Sequence, residues 1–232
     1  MSTYMESHKI RRVINILSLL FAISLLGACA SQSTLEKYQT KADEGDIENQ
    51  LLLADSYFYG TKDLAKDKDM AIKYYRLAAE SGDASAAFNL GLIYQKENKY
   101  DESVHFYEMA VEKNHLGAQD NLGILYHHGR GVEQDFDKAE KLYLQALSNG
   151  SNFSQRNLAV LYRDSQQLDK AIDAFTTLAF APTTKDNSRK FKSAISQDLM
   201  DLYIAKNDNN NAYIWGSTAI ISGLFDSNIK DA

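Results

Sequence analysis

Proline and cysteine occur once each, as Pro182 and Cys29. A near absence of proline leaves little to interrupt helix, because proline removes a backbone donor and clashes with the preceding turn. Alanine, leucine, lysine and glutamate, all good helix formers, are plentiful, so an all-α protein is expected. One cysteine can neither close an internal disulfide nor complete a thiolate zinc site, which leaves packing to stabilise the fold. A basic excess is also missing: 25 Lys and Arg stand against 31 Asp and Glu, a formal charge of −6. Phosphate backbones need a basic stripe, so nucleic acid is not an expected partner. No Gly-rich phosphate loop or nucleophile elbow is present. His105 and His115 lack a carboxylate or histidine at i+4 for a metalloprotease-like pair, and His127 and His128, as helix neighbours, diverge by about 100°. No catalytic residue, metal, cofactor or small-molecule substrate is therefore expected. What the chain does have is 44% hydrophobic residues, 14 tyrosines and a pronounced internal order.

The first residues read as an export signal: His8, Lys9, Arg11 and Arg12 precede the apolar run Val13 to Leu26. A bilayer core needs roughly 20 apolar helical residues, so this run is short for a span. Leu26-Gly27-Ala28-Cys29 then resembles the lipobox of bacterial lipoproteins, which implies cleavage before Cys29 and lipidation (palmitate among the acyl chains) of its thiol. Two or more acyl chains suffice for stable anchoring, at about 0.8 kcal/mol per buried methylene. Residues 1–28 are thus expected to be a signal peptide and 29–34 the lipidated cysteine with a short tether. Their removal takes away Lys9, Arg11, Arg12 and Glu6, so the remainder is more acidic still.

The rest of the chain repeats. Asn89-Leu90-Gly91-Leu92-Ile93-Tyr94 returns as Asn121-Leu122-Gly123-Ile124-Leu125-Tyr126 and as Asn157-Leu158-Ala159-Val160-Leu161-Tyr162. Weaker copies end on Tyr57 and Tyr203. Each tyrosine is followed by a second pattern at i, i+4 and i+7, which marks one helix face: Ala71, Tyr75, Ala78; Ser103, Tyr107, Ala110; Ala139, Tyr143, Ala146; Ala171, Phe175, Leu178; Ala212, Gly216, Ala219. Gly82, Gly150 and Gly223 fall where a helix end needs a left-handed residue. Small residues allow close helix approach, with Gly123 expected opposite Ala146. A helix pair of this kind cannot bury its apolar face alone, so copies stack.

These residues resemble the tetratricopeptide family and, more closely, its longer-looped relative, the Sel-like repeat. The third unit carries the fullest Sel-like signature, from Ala118 through Gly129-x-Gly131-Val132 and Asp135 to Gly150. The first has a loop of Sel-like length, whereas units two, four and five have tetratricopeptide spacing. The resemblance implies a right-handed α-solenoid of about five antiparallel helix pairs over residues 47–223. A capping box at Ser33-Thr34-Leu35-Glu36 is expected to start a capping helix within 35–46, running through Ala42 and stopped by Gly45. Residues Ala181 to Lys190 read as a loop, and 224–232 as a polar tail.

In tetratricopeptide geometry the first helix of each pair lines a groove. That implies inward positions at Leu51, Asp55, Phe58, Tyr59, Phe88, Leu92, Gln95, Asp120, Ile124, His127, His128, Arg156, Val160, Arg163 and Asp164. Apolar anchors beside Arg, His and Asp suit peptide recognition. The expected function is a membrane-anchored interaction scaffold or assembly factor of the bacterial envelope, for instance of an exopolysaccharide, pilus or other export machinery. Its partners would be other envelope proteins, and its place the outer membrane, facing the periplasm. The alternative is direct binding of polysaccharide or peptidoglycan through tyrosines outside the repeat register, Tyr59, Tyr100 and Tyr213.

Overall fold

The computed structural model describes residues 34–62, 64–181 and 189–227, and every regular element among them is an α-helix. Residues 1–28, Cys29 with most of its tether, Pro182 and residues 228–232 lie outside the described residues. The helices are α1 (34–43), α2 (Ile47–Tyr59), α3 (Lys68–Glu80), α4 (Ala84–Lys96), α5 (Tyr100–Glu112), α6 (Leu116–His128), α7 (Phe136–Ser148), α8 (Asn152–Asp164), α9 (Leu168–Phe180), α10 (Arg189–Ala205) and α11 (Asn209–Ser227). Each expected pair is thus a pair of helices, from α2 and α3 to α10 and α11. The last helix runs past Gly223, where a tail was expected, because Leu224 and Phe225 continue the helix-forming sequence. Two compact units divide between Ala87 and Phe88, within α4.

Local chemistry sets the boundaries. Gly82 and Gly150 adopt φ of +95° and +96°, ending α3 and α7 in a conformation that costs glycine little. Asn114 does the same for α5 at φ +59°. The following residue then caps the next helix: Asp83 accepts from the Ala86 amide at 2.7 Å, and Ser151 from that of Ser154 at 3.4 Å. Within pairs, the carbonyl of the signature tyrosine receives the closing hydrogen bond whatever the loop length. In the short turns the donors are the amides of Lys99 to Tyr94, Gln167 to Tyr162 and Asp208 to Tyr203. In the two longer loops they are Asp67 to Tyr57 and Asp135 to Tyr126, at 2.9 and 3.0 Å, and both aspartates also cap the helix that follows.

In the first unit, α1 covers the outer side of α2. Ala42 is fully buried, its carbonyl accepts from Gln50 Nε2 at 2.9 Å, and Gln39 Nε2 donates to the Tyr57 hydroxyl. The helix ends as its residues foretold, with Gly45 at φ +96°.

The first four pairs are each locked by a small residue on the first helix against a large one on the second. Tyr75, Tyr107, Tyr143 and Phe175 are all buried, as are Ala54, Ala159, Ala71, Ala139 and Ala171. A Cβ on Gly123 would lie 2.6 Å from the Tyr143 ring, so that ring faces Gly123, one turn from the expected Ala146. The fifth pair exchanges the sizes: Met200 occupies the position of Gly91 and Gly123, and Gly216 that of the tyrosines. A Cβ on Gly216 would come within 2.7 Å of Met200 Sδ. Between pairs of the second unit, Ala159, Ile172, Phe175 and Leu178 share one core with Ile195, Leu199 and Leu202 of α10. Full burial of such side chains contributes about 1.5–3 kcal/mol each.

Candidate partner-binding face

The expected groove residues lie on the first helices and fall into three groups. In the first unit, Phe58 is half-buried, edge-on to Tyr59 (ring centroids 5.0 Å apart) and to Tyr75 (6.4 Å). Tyr59 is exposed, and Asp55 accepts from the Tyr75 hydroxyl.

In the second unit, a first group stays open. Leu92, Gln95, Lys96, Tyr100 and Asn121 line a cleft of about 490 Å³. Behind it runs a hydrogen-bond chain: Asn121 Nδ2 donates to the Tyr107 hydroxyl at 3.1 Å, which donates to Gln95 Oε1 at 2.6 Å. Burial pushes the Tyr107 pKa up to about 12, so this hydroxyl keeps its proton and its donor role. Since Gln95 spends its oxygen and Asn121 its nitrogen on tyrosine, an amide N–H₂ and an amide oxygen remain for a ligand. Leu92 and the Tyr100 ring add apolar surface, and Lys96 adds a cation at the edge. Arg130 lies over the far Tyr100 ring at 5.8 Å. His128 and Arg156 are also exposed, Arg156 over the Phe191 ring at 5.6 Å.

A second group is turned into the joints between repeats. Asp120 is buried and accepts from the hydroxyls of Ser151 and Ser154, tying α6 to the start of α8. His127 is only 3% exposed, and its Nε2 is 3.1 Å from Asp164 Oδ2, again joining α6 to α8. Its ring stacks on His128 at 4.4 Å with Phe136 edge-on, and its pKa is lowered, first by burial and then by His128. Phe88 is packed between His115, stacked at 4.4 Å, and Tyr107. The repeat register assigned all three to the inner face. It could not show that the next repeat covers them.

Arg163 forms the third group. Its guanidinium is 3.0 Å from Asp164 and 2.8 Å from Asp198, bridging α8 to α10. The basic stretch expected at Arg156 and Arg163 is therefore half neutralised by carboxylates from the same face. The histidine neighbours stack rather than diverge, yet among the described residues no three His, Cys, Asp or Glu gather to hold a metal ion.

Sequence reasoning passed over Asn121, Lys96 and Tyr107 as site residues. A signal existed for the first: asparagine stands five residues before the tyrosine in three consecutive repeats, where an apolar residue would be expected if the position were core.

The Sel1 repeat model matches residues 50–83 and 117–151, and a tetratricopeptide repeat model matches 84–112. The chain is a Sel1 and tetratricopeptide repeat protein. The two Sel1 matches coincide with the two long-looped pairs, and the tetratricopeptide match with a short-looped one. Among solved structures, c5321, a protective antigen of uropathogenic Escherichia coli strains with an SLR fold, is 24% identical with a TM-score of 0.53. The match covers 82% of this chain, which spans about half (49%) of that antigen's length. A Sel1 repeat protein from Oxalobacter formigenes is 31% identical over 54% of this chain and 96% of its own, with a TM-score of 0.48. BtubC from P. vanneervenii is 20% identical, covers 86% and 91% of the two chains, and has a TM-score of 0.58. No protein of curated function matches the sequence. These likenesses establish a solenoid of repeats, and repeats of these two kinds make the chain a protein-interaction scaffold.

Proposed function

We propose that this Sel1 repeat protein is a lipid-anchored scaffold or assembly factor of the bacterial cell envelope, which binds a segment of another envelope protein and catalyses nothing. The anchor is Cys29, and the repeats would face the periplasm from the outer membrane. What supports the binding mode is the cleft on α4 and α6. A free donor on Gln95 and a free acceptor on Asn121, both held by Tyr107, match the carbonyl and amide of one extended peptide unit. Leu92 and Tyr100 suit an apolar side chain of that segment, and Lys96 suits an acidic one, charge setting orientation more than affinity. The anchor keeps the site near the membrane where envelope machineries assemble.

The test places a photo-reactive residue at Leu92 of the full-length protein in its native membrane, and identifies what is captured. Capture of an envelope protein that is lost in a Leu92→Glu/Gln95→Ala variant of unchanged helicity is the expected result. Equal capture by the variant would refute the cleft as the site. Capture of glycan in place of protein would favour the polysaccharide reading, for which Tyr59 and Tyr213 are the exposed candidates while Tyr100 is half-buried with its hydroxyl on Asn98.

A further inference from the structure

The longer loop of the third helix pair, residues 129–135, reaches back onto the pair before it. Gly131 holds φ +70°, and a Cβ there would lie 2.6 Å from the Tyr100 carbonyl oxygen and 2.7 Å from the Asp101 amide nitrogen. Backbone meets backbone at this point, an approach that glycine alone allows. The loop is fixed from its other side as well. The Arg130 amide donates to the Leu125 carbonyl at 3.0 Å, Gln134 Nε2 to that of His127 at 2.7 Å, and the Asp135 amide to that of Tyr126 at 3.0 Å. Among these contacts Arg130 stays exposed, with its guanidinium over the Tyr100 ring at 5.8 Å. The turns of the neighbouring short-looped pairs, 97–99 and 165–167, are too brief for such a reach.

Tyr100 lines the cleft with Leu92, Gln95, Lys96 and Asn121, so the loop brings a cation to the rim of a cleft that other helices build. Lys96 stands in the last turn of α4 and Arg130 just past the end of α6, which puts both at the same end of their repeats. Neither is ion-paired among the described residues, whereas Lys99, Lys138, Arg163, Lys170 and Lys206 all are. The nearby carboxylates have other places. Glu97 is 2.9 Å from Lys99, and Asp101 and Glu102 occupy the first turn of α5, where a helix favours negative charge. An arginine stacked on an aromatic face keeps the edge of its fork free for a carboxylate. In a chain of net −6, two unpaired cations beside one cleft favour an anionic segment over a cationic one.

We propose that the segment held in this cleft is acidic, with carboxylates that meet Arg130 and Lys96 beside the apolar side chain that Leu92 and Tyr100 receive. The assignment rests on the cleft being a peptide site and adds which peptide it takes. The Sel-like loop then sets specificity for the tetratricopeptide-like pair before it, with Gly131 as the residue that positions Arg130.

The experiment titrates the full-length protein in mild detergent with two synthetic peptides carrying a neutral dye, Gly-Asp-Glu-Leu-Asp-Glu-Gly and its uncharged twin Gly-Asn-Gln-Leu-Asn-Gln-Gly, read by fluorescence anisotropy. The acidic peptide is expected to bind about three- to tenfold more tightly than its twin at low salt and to lose that advantage at about 1 M salt. Lys96→Gln/Arg130→Gln, of unchanged circular dichroism, is expected to abolish the preference without weakening the twin. Gly131→Ala, which displaces the loop, is expected to match Arg130→Gln. Equal affinity of the two peptides for the parent, no binding of the acidic one, or a preference that survives in the charge variant would overturn the proposal. Leu92→Ala/Gln95→Ala reports on the cleft itself and should weaken both peptides. Undiminished binding by that variant would refute the peptide site, a failure distinct from loss of the acidic preference alone.

Discussion

The same substitution, glycine to alanine, is expected to have opposite consequences at two equivalent contacts. At Gly123 the new methyl would lie 2.6 and 2.8 Å from two carbons of the Tyr143 ring. Comfortable carbon contacts are about 3.5–4.0 Å, so the ring or the backbone must give by roughly 1 Å. Tyr143 is wholly buried between helices and has no room to turn. Overpacking of this kind costs about 1–3 kcal/mol, against which alanine recovers about 1 kcal/mol of helix propensity. The net is a loss of up to about 2 kcal/mol. At Gly216 the obstruction is Met200 Sδ at 2.7 Å, the far part of a flexible and half-buried side chain. A rotamer change there costs about 0.5–1.5 kcal/mol and the same propensity gain offsets it, so Gly216→Ala should stay within about 0.5 kcal/mol of the parent. Urea titration of a soluble form beginning at residue 30, followed by far-ultraviolet circular dichroism, measures both. For a chain of this length, 1 kcal/mol moves the thermal midpoint by about 2–4 °C, which gives an independent reading. Equal midpoints for the two variants would refute the claim that ring rigidity decides the outcome.

Tyr143→Phe should leave stability unchanged or raise it by up to about 1 kcal/mol, because the buried hydroxyl has no hydrogen-bond partner among the described residues; a loss above that in urea titration would reveal a partner. The pKa of His127 is lowered in the fold, chiefly by burial, so the unfolded chain takes up the proton first and stability should fall as pH drops through the ordinary histidine value of about 6.5. Denaturation midpoints between pH 7 and 5 should therefore slope less in His127→Gln, and an identical slope would place the acid sensitivity elsewhere. Cys29→Ser should abolish incorporation of labelled fatty acid and leave the protein uncleaved or misplaced. Label retained by the serine variant in the outer-membrane fraction would refute lipidation at that residue.

Much of this molecule was legible in its amino-acid order. The recurrence of Tyr57, Tyr94, Tyr126, Tyr162 and Tyr203, each followed by small and aromatic residues at helical spacing, determined five helix pairs, their loop classes and the left-handed Gly82 and Gly150, but not the left-handed Asn98, Asn114, Gln166 and Asn207. Those features are local: a period of 3.6, a glycine at positive φ and an aspartate before a helix act through the backbone of a few neighbouring residues. What only tertiary structure decided is which residues of the first helices meet solvent. Asp120 and His127 were expected on one face with Gln95, yet Ser151, Ser154 and Asp164 of the next repeat hydrogen-bond to them. Arg163 read as free positive charge until Asp198, 35 residues away, was brought to 2.8 Å. The partner cleft needed Gln95, Tyr107 and Asn121 to converge from three helices. In each case the deciding contact lies between helices that the chain separates, and its distance depends on how one pair stacks on the next.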